Sequence, residues 1–355
     1  MRILVLTKYE CLGASSRVRF LQYIPYLKST GMDVFVAPFL SNEYIISLQS
    51  GARKLSDVFG AYARRIHTII MRRNFDLMWI EKEVFPWLPA WFECLLLLNK
   101  IPYVLDYDDA VFHNYDMSRN ILVRAALAKK HDVIMNRAAA VVVGNQYLME
   151  RAEKCGAAKI ELIPTVVDLD KYQRIPISVG DKKLPCVIWV GQRSTAKYLE
   201  PLADMMRSLS ESGICRFVAM GVDTNALGLP MDSVQWSEES EAKTIAEFDI
   251  GIMPLPDNPF ERGKCGYKLI QYMACNLPVV ASPVGVNRVI VQNHENGFLA
   301  STIDEWESSI RKLCADSDLR SSLGAQGRAL VEKEYCLSVV VTKLVKLLSS
   351  LVRNR

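Results

Sequence analysis

Short apolar runs alternate with stretches of helical spacing along the whole chain. In the first half the runs are ILVL (3–6), VFVA (34–37), LMWI (77–80), YVLDY (103–107), AVVVG (140–144) and IELIP (160–164). Between them, apolar residues recur at helical period over 16–29, 58–73 and 121–136. Uninterrupted apolar runs are strands buried on both faces, and strands that alternate with helices build a parallel sheet covered by helices. The second half keeps the rhythm. CVIWVG (186–191), RFVAMG (216–221), FDIGIMPL (248–255) and LPVVAS (277–282) predict strands, with helices over 196–212 and 266–275. Between the halves, DLDKYQRIPISVGDKKLP (168–185) is polar, holds two prolines and has no apolar period, which marks a linker. One amphipathic helix is expected over 338–352.

This pattern predicts two doubly wound α/β domains: residues 1–170, a linker over 171–184, residues 185–337, and a terminal segment 338–355. Ligands of such domains bind beyond the carboxyl ends of the strands. The 355 residues, half of them hydrophobic and 23% charged, suffice for two packed cores and exclude a disordered or fibrous chain. A net charge of +4 is too small for a strongly electropositive nucleic-acid binder, so no nucleic-acid partner is expected. The charge is uneven: residues 1–180 hold 23 Lys and Arg against 18 Asp and Glu, and residues 181–355 hold 20 against 21. Different partners for the two halves are therefore expected.

Nine cysteines, scattered without a CxxC or a Cys/His cluster, read as reduced thiols of a cytoplasmic protein. The start, MRILVLTKYE, has only a short apolar stretch before Lys8 and predicts no signal peptide. The most apolar window, 84–98, carries Glu93 and two prolines and is shorter than the roughly 18–20 residues that span a bilayer.

Five segments carry candidate chemistry. Gly13, Ser15, Ser16 and Arg17 lie in a Gly/Ser loop that enters a helix, an arrangement that presents backbone N–H groups to an anion. Ordinary capping explains the same residues equally well. Arg193 and Lys197 follow the strand that ends at Gly191 and would suit a diphosphate. The segment 253–285 carries Glu261, Arg262, Gly263, Lys264, Cys265 and Gly266 ahead of a helix with Tyr267, Lys268 and Gln271, polar groups that a core helix seldom keeps. Asp106, Asp108, Asp109 and His113 crowd the end of the fourth strand, where Asp-x-Asp spacing invites a divalent metal or a phosphotransferase nucleophile. Paired basic residues at 53–54, 64–65 and 72–73 flank an apolar stripe, as on a helix that lies against anionic lipid or on any solvated surface helix.

The third segment resembles the donor-binding signature of glycosyltransferase family 4, the retaining GT-B enzymes. QYMACNLPVVASPVG (271–285) is similar to the family's EAMACGxPVVAS run, and ENGFLA (295–300) to the strand entry after it. VGQRSTAK resembles the GRxxxxK phosphate motif with Lys197 on its lysine, and GASSRVR resembles the amino-terminal glycine loop. The resemblance implies two Rossmann-like domains facing a central cleft. It implies an enzyme that moves a sugar from a UDP- or GDP-linked donor to a glycan or lipid-linked acceptor in cell-surface polysaccharide synthesis, with no metal or other cofactor. It assigns the donor diphosphate to Gly13, Ser15, Ser16, Arg17, Arg193, Lys197, Gly266, Tyr267 and Lys268, and the ribose to Gln271. The donor sugar falls to Glu261, Gly263, Lys264 and Cys265, and catalysis to Glu261, Asp109 and His113.

The chain departs from the family pattern at Gln192, which replaces the motif's arginine, at Thr165 and Val166, which stand for its Asn-Gly, and at the paired glutamates. The family's paired glutamates fall on Gly263 and Gln271 here. The basic first half and the aromatic stretch 85–92 further suggest an acceptor on lipid, with peripheral contact at the anionic inner membrane face. Two alternatives remain at this stage: a Mg²⁺-dependent phosphotransferase using Asp106 and Asp108, and a non-catalytic nucleotide-sugar-binding protein.

Overall fold

A computed structural model describes residues 1–49, 55–71, 74–97, 101–172 and 184–353 of the 355. The basic pairs at 53–54 and 72–73 and most of the expected linker, 173–183, lie outside the described residues. The chain divides into two units. The first holds Met1–Thr165, Gly263–Cys265 and Ser338–Arg355, and the second Val166–Arg262 and Gly266–Leu337.

In the first unit, β1 (Arg2–Leu6), β2 (Asp33–Val36), β3 (Leu77–Glu81), β4 (Tyr103–Tyr107), β5 (Ala140–Val143) and β6 (Ile160–Leu162) form a six-stranded sheet of order β2-β1-β3-β4-β5-β6. All pairings are parallel; Ile3 lies opposite Val34 and Leu77, and Glu81 opposite Asp106. The strands β3, β4 and β5 are buried throughout, as expected of uninterrupted apolar runs covered on both faces. The helix Leu337–Arg353 extends from the second unit's last residue into the first, where Lys343 Nζ donates to the Leu162 carbonyl at 2.8 Å and lies 2.9 Å from Glu161.

The second unit repeats the plan with β7 (Cys186–Val190), β8 (Arg216–Met220), β9 (Asp232–Val234), β10 (Ile250–Met253), β11 (Val279–Ala281) and β12 (Gly297–Leu299), in the order β12-β11-β10-β7-β8-β9. Alternate side chains of β7 serve different cores. Val187 and Trp189 pack with Leu209 and Ile310, and Ile188 and Val190 with Tyr272 and Met273. A sheet with apolar packing on both faces is what makes this unit doubly wound.

Three expected helices are interrupted. The stretch 16–29 splits into Ala14–Arg19 and Ile24–Ser29 around a single turn, because Phe20 leaves helical geometry at φ −127° and Pro25 has no N–H to continue the ladder. The stretch 121–136 splits into Ile121–Leu127 and Lys130–Arg137. Pro201 likewise opens a separate turn between Arg193–Ala196 and Ala203–Glu211. The sequence pattern gave no sign of β9, a short edge strand with two exposed residues and no apolar run.

Candidate functional site

In the first unit the chain winds one way from β1 to β2 and the other way from β3 onward, so its switch point lies beyond the carboxyl ends of β1 and β3. Glu81, the last residue of β3, anchors the loop after β1. Its Oε2 accepts the Ser16 hydroxyl at 2.6 Å and the Lys8 backbone N–H at 2.7 Å. Burial pushes the Glu81 carboxyl up, against the pull of Lys82 and Ser16. Ser15 accepts from Lys82 Nζ at 3.2 Å, and Arg17 donates to the Cys11 carbonyl at 3.0 Å. A Cβ at Gly13 would stand 2.4 Å from that of Tyr9, so the turn into the helix Ala14–Arg19 needs glycine for space. The loop residues expected to hold phosphate are thus tied to β3 and to their own backbone.

Each carboxylate of the aspartate run has its own cation. Arg19 Nε donates to Asp106 Oδ1 at 2.9 Å, while the Trp79 indole donates to Oδ2 at 3.3 Å. Burial pushes Asp106 up to about 6, although Arg19 pulls the other way. Lys82 Nζ lies 2.7 Å from Asp108, and Lys264 Nζ 3.6 Å from Asp109. Burial opposes the charge on Asp108 as well, yet Lys82 holds its carboxyl below the ordinary range. Among the described residues no three His, Cys, Asp or Glu side chains are grouped to hold a metal ion. The phosphotransferase reading is not favoured: Asp106, its nucleophile, is 2% exposed with both oxygens engaged. His113 has both ring nitrogens occupied, Nδ1 by Asp116 and Nε2 by the Tyr147 hydroxyl, each at 2.8 Å.

Gly263–Cys265 also belongs to the first unit. Asn145 Nδ2 donates to the Gly263 carbonyl at 2.8 Å and to that of Lys264 at 3.0 Å. A Cβ at Gly144 would fall 2.2 Å from Cys265 Sγ, and one at Gly263 would fall 2.4 Å from Ala110 Cβ. Position 263, where the family pattern has its first glutamate, therefore has no room for a side chain, and only its backbone is available to a ligand. The sequence reading missed Gly144 and Asn145. Their signal was a Gly-Asn pair directly after the AVVV run, a glycine followed by a helix cap.

In the second unit the winding reverses at β7 and β10, which places the switch point beyond Val190 and Met253. Gly191 follows β7, and a Cβ there would strike the Trp189 ring at 2.3 Å. Gln192 then caps the helix Arg193–Ala196, with the Thr195 hydroxyl donating back to its carbonyl at 3.0 Å. Arg193 and Lys197 are exposed. Arg193 makes no ion pair among the described residues, and Lys197 Nζ stands 5.4 Å from the Tyr198 ring. The Tyr198 hydroxyl donates to Glu261 Oε1 at 2.5 Å, which ties the third segment to the second. Tyr198 is a further residue that the sequence reading did not single out.

Gly266 caps the helix Tyr267–Ala274 at φ +67°, and a Cβ there would meet Ile290 Cδ1 at 2.4 Å. Both the left-handed backbone and the close approach require glycine. The helix start carries the positive end of its dipole, and Lys268 Nζ lies 5.2 Å from the Trp189 ring. Gln271 stands apart from these groups. It is 1% exposed, and its Nε2 donates to the Tyr172 hydroxyl at 2.7 Å, beside Glu241.

Two doubly wound sheets of this kind in one chain define the GT-B fold, and solved structures share it over the whole length. The sucrose-phosphate synthase of Thermosynechococcus elongatus matches with a TM-score of 0.76 at 14% identity, covering 100% of each chain. Anabaena HepE, solved in complex with UDP, matches at 0.70 and 16% identity over 99% of this chain and 100% of that one. Residues 185–316 match the family model described as Glycosyl transferases group 1. The sulfoquinovosyl transferase of Arabidopsis thaliana is 30% identical over 184 residues, 48% of this chain and 34% of that protein, so the chain spans about a third of that relative's length. The likeness to glycosyltransferases in sequence is thus confined to part of the chain, and the solved structures share the fold. No helix among the described residues is long and apolar enough to cross a membrane.

Proposed function

We propose that this protein is a retaining glycosyltransferase that moves a sugar from a nucleotide-diphosphate donor to a glycan or lipid-linked glycan. The observation that carries the reading is the pair of exposed cations, Arg193 and Lys197, beyond the carboxyl end of β7, inside the segment that matches the family model. Glycosyl transfer from such a donor leaves negative charge on the departing diphosphate. Cations and a helix amino terminus held in place before reaction stabilise that charge. Arg193, Lys197, Lys268 and the helix opened by Gly266 supply those groups, and no metal is required for them to act. Glu261 is the carboxylate offered to the donor sugar, with Tyr198 orienting it at 2.5 Å. UDP is the favoured base, since HepE is a fold relative solved with UDP and with UDP-glucose.

Thermal shift and calorimetry against UDP, GDP, dTDP and CMP, with and without EDTA, test the reading. One nucleoside diphosphate should stabilise the protein, unaffected by EDTA and lost in Lys197→Ala. At 100 times its dissociation constant the ligand adds roughly 2.7 kcal/mol. Hydrolysis of the matching nucleotide sugar, with the released sugar followed by proton NMR, then reports the anomeric outcome. Silence from every nucleotide overturns the proposal. Nucleotide binding without any transfer or hydrolysis would instead favour a non-catalytic binding protein, which Gly263 and the buried Gln271 already resemble.

A further inference from the structure

The first unit holds a pocket at its own switch point, beyond β1 and β3. It forms a cavity of about 80 Å³, part of it open to solvent. Thr7 and Lys8 come from the end of β1, Lys82 from the end of β3, Arg65 from the helix Leu55–Met71, and Phe39 and Trp87 form apolar walls.

Three observations single it out. First, two buried polar atoms on its lining have no partner, the Thr7 hydroxyl and Arg65 Nη1. Thr7 is 1% exposed and Arg65 3%. Arg65 Nη2 donates to the Thr7 carbonyl at 2.6 Å and the guanidinium lies 5.5 Å from the Phe39 ring, so Arg65 is held in place while one nitrogen stays unused. An unmade hydrogen bond on a buried group is costly, and more so on a charged one. Second, the carboxylates that line the pocket, Glu81 and Glu83, hydrogen-bond or pair with other groups, although the Glu81 charge also acts on Arg65. Glu81 Oε2 takes Ser16 and the Lys8 backbone, and Glu83 Oε2 takes Lys130 at 2.7 Å. Lys8 Nζ, 5.4 Å from the Tyr9 ring, makes no ion pair among the described residues. Third, Lys82 at φ +62° and Trp87 at φ +64° hold the left-handed backbone that side chains avoid, and both line this pocket. Strain of that kind collects at sites where ligands bind.

We propose that this pocket is the acceptor subsite and that it selects an acceptor bearing an oxyanion, carboxylate or phosphate, bound by Arg65 Nη1 and the Thr7 hydroxyl with Lys8 adding charge. The exposed indole of Trp87, perpendicular to Tyr115 at 5.1 Å, gives the neutral part of the acceptor an apolar face. The identification as an acceptor rests on the glycosyltransferase reading; the oxyanion site does not.

The test uses the full chain and four probes by thermal shift and NMR titration: glucuronate, glucose 6-phosphate, neutral glucose, and UDP as control. Glucuronate or glucose 6-phosphate should bind and glucose should not, and whichever anion binds tells carboxylate from phosphate. Arg65→Gln should weaken that anion at least tenfold, about 1.4 kcal/mol, and leave the response to UDP unchanged. Should Arg65→Gln fail to fold, Lys8→Ala and Thr7→Val carry the same prediction with a smaller loss for Lys8→Ala. Equal binding of glucose and the anions, undiminished anion binding in the variants, or no response to either anion at tens of millimolar overturns the proposal. Loss of the UDP response in the wild type, with anion binding retained, overturns the proposed function but not the oxyanion site.

Discussion

The two units share a winding plan and use charge in opposite ways. At the strand ends of the first unit, charges are buried and matched: Arg19 with Asp106, Lys82 with Asp108, and Lys130 with both Glu83 and Glu93 at 2.7 Å. At the equivalent place in the second unit, Arg193 and Lys197 stand in solvent and make no ion pair among the described residues. A buried pair is weak evidence for net stability, yet breaking one strands a charge and is costly. Exposed cations add almost nothing to folding and remain available to an anion. The buried pairs of the first unit cancel one another, while the exposed cations beyond β7 in the second stay open to an anion. Arg65 is the exception in the first unit, buried like the others but with one nitrogen unmatched.

The largest expected effect breaks the first unit's side of this contrast. Arg19→Met leaves Asp106 buried without its cation, held only by the Trp79 indole, and should cost about 3–5 kcal/mol of stability at neutral pH. The loss should shrink in acid, where Asp106 takes up a proton; a change under 1 kcal/mol by chemical denaturation would mean that the pair is not structural. Lys197→Ala makes the opposite test. It should leave the melting temperature within a degree or two and weaken nucleoside-diphosphate binding by about 1.5–3 kcal/mol, the worth of a hydrogen bond to a charged group. A drop in stability with unchanged affinity would reverse the roles assigned to the two units.

Gly263→Ala sets the new methyl 2.4 Å from Ala110, and overpacking of this kind costs about 1–3 kcal/mol. A stable, fully active alanine variant would show that the backbone there yields, and that the family glutamate is absent for some reason other than space. The smallest effect is a pH slope. Burial depresses the His131 imidazole to about 4, against the pull of Glu83. The unfolded chain binds its proton from about 6.5 downward and the folded chain only near 4, so this group makes stability fall as pH drops through that window. Asp106 acts with the opposite sign. Its raised value means that the folded chain holds a proton from about 6 down to the ordinary carboxylate range, so stability falls there as pH rises. His131→Gln should remove the first slope, at most about 1.4 kcal/mol per pH unit, and leave the second exposed. An unchanged stability profile between pH 4 and 6.5 would contradict it.

Expectation and structure agree best where one physical cause dominates. Uninterrupted apolar runs became buried parallel strands, and YVLDY occupies β4 residue for residue. Helices were legible but their breaks were not, because Phe20 and Pro201 act through backbone geometry that apolar period does not report. The basic helix shows a harder failure. Arg64 and Arg65 read as one charged face, yet Arg64 is exposed and Arg65 buried. Adjacent helical residues point about 100° apart, and only the packing against Thr7 and Phe39 tells which one turns inward.

The sequence by itself determined the alternation of strands and helices, the two doubly wound sheets, and the segments that hold the exposed cations, since each rests on local composition and period. Only the tertiary structure decided which charges are used up and which remain. Asp106 lies 87 positions from Arg19, Glu261 lies 63 from Tyr198, and Arg65 reaches Thr7 across 58. A charge becomes a structural pair or a binding group according to what the fold sets within a few ångströms of it, and separation along the chain carries no record of that distance.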